Sequence, residues 1–161
     1  MQREEVRRKW EPYVGKFFLS FTAIEHFVTI SIDVLSKKSI SNTVRTLLFE
    51  KRTEILKELL ENNNKVSVHT KSKIRNQVDE AIKLSRNVRN IIAHNHILME
   101  LYESPADGEI YEKAYIHSSR NKSKKISLEN MIEAARNTEI LANRLSESYL
   151  DMLKEYWNKK A

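Results

Sequence analysis

The chain has 161 residues with 28 Lys/Arg against 22 Asp/Glu, a net charge of +6, and 40% hydrophobic residues. That length suits one domain with its own core, and the composition is that of a globular protein, not a disordered or fibrous one. Cysteine is absent, which excludes disulfides, thiolate nucleophiles and cysteine-bound zinc; two glycines and two prolines disfavour a β-sandwich.

The N-terminal stretch MQREEVRRKW carries no apolar run behind its basic residues, so neither a signal peptide nor a membrane span is expected, and a cytoplasmic protein with no membrane partner is. A first helix is predicted over residues 11–36, with Val14, Phe18, Phe21, Val28, Ile32 and Leu35 at helical spacing. Phe17, Ile24 and Phe27 widen its stripe and make it central. A second helix is predicted over 43–61, with Val44, Leu47, Leu48, Ile55, Leu59 and Leu60 inward and three asparagines stopping it. A third is predicted over 71–93 along Ile74, Val78, Ala81, Val88 and Ile92. The period then changes to two, and two alternating segments flank PADG, which reads as a β-hairpin over 96–118. A fourth helix over 128–157 follows, with Ser127 as N-cap and Leu128, Met131, Ala135, Ala142, Leu145, Tyr149, Met152 and Tyr156 as its seam. The expected architecture is mainly all-α: one domain over 1–161, an up-and-down four-helix bundle with a hairpin inserted before the last helix.

Positive charge is concentrated on the third helix. Residues 65–97 carry seven basic side chains against Asp79 and Glu80; the segment 98–119 is acidic and RNKSKK at 120–125 is basic again. Such a stretch either binds a polyanion or forms a solvated face. Lys83 and then Arg86, Asn90 and His94 fall three or four residues apart, so a regular helix stacks them in one line, with Arg89 beside it. The line lies off the apolar seam. His94 stands at the helix C-terminus, where a cation is favoured.

The string Arg89-Asn90-Ile91-Ile92-Ala93-His94 has the form R-N-x-x-x-H. It resembles the R-x4-6-H signature of HEPN domains, in the variant with a polar residue after the arginine, late in the third long helix of a bundle. The resemblance implies a metal-independent endoribonuclease, often a toxin or phage-defence effector, acting as a homodimer with two signatures facing across a two-fold axis. It also implies a possible antitoxin or regulatory protein as partner. Other members have lost catalysis and serve as binding modules. Members modified on a tyrosine carry H-x-Tyr; here the run is His94-Asn95-His96, so that control is not expected.

The residue chemistry agrees. RNA supplies its own nucleophile, the 2′-hydroxyl. Cleavage needs a proton acceptor, a cation for the phosphorane and a proton donor for the leaving 5′-oxygen. Imidazole suits proton transfer and guanidinium suits bidentate phosphate stabilisation. His94 and Arg89 are the catalytic candidates, with Asn90 to orient them; Arg86, Lys83 and His96 are candidates for substrate binding. Two copies would supply both a base and an acid. A homodimer through the third helix is expected, since Leu84 and Ile91, seven apart, lie to one side of the seam; the alternative is that they complete a wide internal stripe.

No cofactor or metal site is expected: His94 and His96 form H-x-H, but no third ligand is near in sequence. Glu25 falls inside the apolar stripe of the first helix and needs a partner. That partner is either Arg86 or Arg89, giving Glu25 a supporting role at the site, or an arginine of the second helix such as Arg45 or Arg52. Tyr111 and Tyr115 share one face of the hairpin and either cover the bundle or stack on bases. RNKSKK grips phosphates or is a solvated loop. Against the ribonuclease stand a non-catalytic module that binds nucleic acid or protein, and a bundle whose helices serve only assembly.

Overall fold

In the computed structural model, the described residues are 2–158 except 38, 39, 104, 105, 107, 109 and 120–122; side chains at 2, 3, 41, 101–103 and 110–112 also lie outside the description. The chain is mainly helical, with one small antiparallel sheet. Helix α1 runs from Gln2 to Ser36 and begins earlier than the apolar pattern suggested. Its first turns are held by the pairs Glu4–Arg8 and Glu5–Lys9, at 2.8 and 3.3 Å, each four residues apart. Trp10, 2% exposed, anchors them to the core, so Pro12 lies inside the helix. By length and composition the stretch Glu4–Ser36 is apolar enough to cross a membrane, unlike the expectation from sequence. Its Phe17, Phe21, Ile24, Val28 and Ile32 are all buried in the core, where α1 packs most extensively on the last helix.

The single helix expected over 43–61 is two: α2, Ser41–Arg45, and α3, Phe49–Glu61. The Thr46 hydroxyl donates to the Thr43 carbonyl at 2.7 Å, a local bond that competes with helix propagation, and Leu48 is extended. Leu47 and Leu48 are therefore exposed, not inward as their spacing implied. Asn62 caps α3, and the Asn63 side chain accepts from the Lys65 and Val66 amides, turning the chain.

Helix α4, Val68–Leu84, starts on the N-cap Ser67, whose hydroxyl accepts from the Thr70 amide. Glu155 accepts from Ser67 and Thr70 as well, fastening this start to the last helix. A π-helical turn, Ser85–Arg89, and a short α5, Asn90–His94, follow. The expected seam holds at Ile74, Val78 and Ala81, which are buried, whereas Val88 and Ile92 are only half-buried.

The sheet has the order β1-β2-β3: β1 (Ile97–Glu103), β2 (Ile110–His117) and β3 (Lys125–Ser127). The hairpin is present. The third strand was not anticipated: it spans only Lys125, Ile126 and Ser127, too few residues for an alternating pattern to show. Of the PADG turn, Pro105 and Asp107 lie outside the described residues; Gly108 has φ 70°, which glycine adopts without a Cβ clash. Ile116 and Ile126 face each other across β2 and β3 and are buried against the bundle. Helix α6, Leu128–Asn158, begins as predicted: Ser127 Oγ accepts from the Asn130 amide, and Asn130 Oδ1 accepts from the Ser127 amide.

Candidate active site

The R-N-x-x-x-H string sits where the helix changes type. The Asn90 amide donates five residues back, to Ser85, instead of four. Single π turns inside helices occur often at functional sites. The turn widens the helix, so Arg86, Asn90 and His94 do not stack as on a regular helix. The expected line is broken, and its members turn to different neighbours.

Arg86 grips Glu50 of α3 with two hydrogen bonds, Nε to Oε1 at 2.8 Å and Nη2 to Oε2 at 2.6 Å. That hydrogen bonding holds the Glu50 carboxyl below its ordinary range and the Arg86 guanidinium above its own. Arg86 is thus engaged, and binding a substrate phosphate would cost it that pair. Lys83 lies in a groove of about 340 Å³ toward α6, with Leu84, Asn87, Ile140 and Arg144. Arg89 is half-buried, and its Nη1 donates to the Asn90 side-chain oxygen at 3.3 Å. An amide thus orients the guanidinium. His94 is exposed one helical turn beyond Asn90, at the end of α5, and no hydrogen bond holds its ring among the described residues. His96 is exposed just before β1.

Two asparagines build the surroundings. Asn95 is extended and ends α5; its Nδ2 donates to the Ile91 carbonyl at 2.6 Å, and its Oδ1 accepts from the Ser119 amide at 2.8 Å. Lys124 Nζ donates to the Asn87 side chain at 3.2 Å. The connection from β2 to β3 is therefore tied on both sides of the Arg89, Asn90 and His94 group. Lys124 belongs to RNKSKK, of which Arg120, Asn121 and Lys122 lie outside the described residues. Neither asparagine was legible as a site residue. The only signal was their position flanking the motif.

Glu25 does not support this group. It pairs with Arg52 of α3 at 3.0 Å, and Arg52 also reaches Thr29 Oγ1 at 3.4 Å. This arginine of α3, not Arg86 or Arg89, satisfies the partly buried carboxylate. Ile91 is 6% exposed, because β2 covers α5 on that side, and Leu84 is half-buried. The pair completes an internal stripe and leaves little apolar surface of its own for a second copy. Tyr115 does not cover the bundle either: it lies on the opposite face of β2 from Ile116, half-buried, with Lys125 Nζ 5.3 Å above its ring. The Tyr111 side chain lies outside the described residues.

Comparison of the chain with protein-family models, with curated proteins and with solved structures finds no match in any of the three.

Proposed function

We propose that the chain is a HEPN-type endoribonuclease that cleaves RNA without a metal by attack of the 2′-hydroxyl, leaving a 2′,3′-cyclic phosphate and a 5′-hydroxyl. One observation carries the reading: a half-buried arginine oriented by the neighbouring asparagine at a π turn, with an exposed histidine one turn on. Arg89 would hold the non-bridging phosphate oxygens and stabilise the phosphorane. His94, exposed and without a hydrogen-bond partner among the described residues, would exchange protons with the 2′-hydroxyl or the leaving oxygen. Asn90 fixes the fork of Arg89. Lys124 and Asn87 border the same turn and would contact flanking phosphates.

One such group brings one exposed histidine, so two copies would complete a base and acid pair. With Ile91 buried and Leu84 packed against the core, apolar surface near this helix that a second copy would cover includes Ile140 and Ile132 of α6, 44% and 39% exposed. Light scattering at micromolar concentration is expected to give twice 19.0 kDa; a mass near 19.0 kDa would remove the shared-site form of the mechanism. The primary test incubates purified protein with total RNA in excess EDTA beside a His94→Ala control. Cleavage by the parent alone, with cyclic-phosphate ends, is expected. Loss of cleavage in EDTA with rescue by magnesium would overturn the mechanism. RNA binding without cleavage would favour a non-catalytic binding module, the reading suited to a site with a single acid or base.

A further inference from the structure

We propose that the outward face of the sheet is a platform for single-stranded RNA, with Tyr115 stacking on a base that flanks the cleaved phosphate; this rests on the ribonuclease reading above.

Strand alternation fixes the face. Ile116 and Ile126 point into the bundle, so their neighbours Tyr115, His117, Lys125 and Ser127 point away from it. On β1, Leu98 pairs with Tyr115 and shares this outward side, 49% exposed. The face has a row structure. His117 is paired with Lys125, and continuing the β1–β2 register by one residue sets His96 opposite His117. The row His96, His117, Lys125 is the end of the sheet nearest His94, which lies two residues before His96. The next row is Leu98, Tyr115, Ser127.

The chemistry of these rows suits unpaired nucleotides. Tyr115 offers a ring, with the His117 ring edge-on at 6.1 Å and an ammonium 5.3 Å from its centroid. Single strands are bound by such combinations of aromatic faces and cations, with little sequence preference, because every base has a face to stack. Glu100 also lies on this side and opposes a polyanion. Its charge is matched by Lys125, at 2.8 and 2.9 Å, whose hydrogen bonds hold its carboxyl below the ordinary range, and His117 Nε2 lies 3.0 Å from it. Leaving Glu100 would free Lys125 for a phosphate. The bonds of Ser119 to Asn95 and of Lys124 to Asn87 tie this end of the sheet to the turn that carries Arg89. A strand laid across the sheet would run directly into the cleavage group. Duplex RNA, with its bases already stacked, would gain nothing from Tyr115.

The test uses the full chain carrying His94→Ala, so that binding is read without cleavage. A fluorescein-labelled single-stranded RNA of mixed sequence is titrated and followed by anisotropy. Tyr115→Ala is expected to weaken binding about tenfold or more, the scale of one stacked base, whereas Tyr115→Phe binds like the unsubstituted background. In Tyr115→Trp, added RNA is expected to quench indole emission beyond the signal from Trp10 and Trp157, a readout within a folded protein. Unchanged affinity in Tyr115→Ala together with no extra quenching in Tyr115→Trp overturns the platform. If the His94-intact protein still cuts RNA in that case, the ribonuclease reading stands without it. If the parent chain neither binds nor cuts RNA, the ribonuclease reading fails and the platform fails with it.

Discussion

Arg52 and Arg89 both sit on helices that line the core, and their polar partners differ in character. Arg52, 8% exposed, meets the Glu25 carboxylate across two helices, with its guanidinium 5.7 Å from the Phe49 ring centre. Among the described residues, Arg89, half-buried, meets the neutral amide of its own neighbour. The first arrangement pairs a nearly buried cation with a partly buried carboxylate. The second leaves a charge oriented and uncompensated beside an exposed histidine. A buried pair of the first kind serves the fold, whereas an oriented, unneutralised cation of the second kind has capacity left for an anion.

The comparison is broken most sharply by substituting the exposed group. His94→Ala and Arg89→Ala are each expected to lower RNA cleavage by about a hundredfold or more, measured as initial rate on a labelled oligonucleotide. Their melting temperatures should stay within about 2 °C of the parent, as surface substitutions change stability little. Parent-like rates in both variants would show that the oriented arginine is only a structural feature.

The buried pair should answer in the opposite currency, stability. Glu25→Leu strands a nine-tenths-buried guanidinium and is expected to cost about 3 kcal/mol, a fall of about 6–12 °C in Tm by calorimetry, with cleavage per folded molecule unchanged. Glu25→Leu with Arg52→Met should recover most of that loss, since an apolar pair needs no compensation. If Glu25→Leu instead reduced cleavage at unchanged Tm, Glu25 would belong to the site after all.

A smaller effect is expected at the exposed pair between Arg86 and Glu50. Arg86→Ala should move the urea midpoint only slightly, because an exposed ion pair is screened by solvent. It should also weaken the salt dependence of RNA binding only slightly if Arg86 remains on Glu50 in the complex.

The smallest effect concerns acid. Hydrogen bonds from Arg86 and from Lys125 hold the carboxyls of Glu50 and Glu100 below the ordinary value of 4.5. Their folded-state values are lowered, so the stabilisation is complete above that value and is lost as pH falls through the depressed ones. Melting temperature should decline shallowly below about pH 4.5, and Glu50→Gln with Glu100→Gln should flatten that decline.

Much of the architecture was legible from the chain because it rests on periodicity, which is local. The apolar stripes of α1 and α6, the stop at the asparagines after Glu61, the Ser127 cap and the hairpin each follow from spacing or from one side chain bonding its own backbone. The string from Arg89 to His94 was legible for the same reason. Tertiary structure decided what each polar group meets. Whether Glu25 answers Arg52 or Arg89 depends on which helix lies beside α1, and both choices fit the sequence. Ile91 became internal because β2 folds back over α5, a contact between residues far apart in pattern. β3, the three residues Lys125–Ser127, is too short to show an alternating pattern and forms because β2 offers it a free edge. The π turn is likewise invisible to a search at 3.6 residues per turn. Beside it Arg86 is bound to Glu50, Arg89 meets the Asn90 amide, and His94 stands exposed.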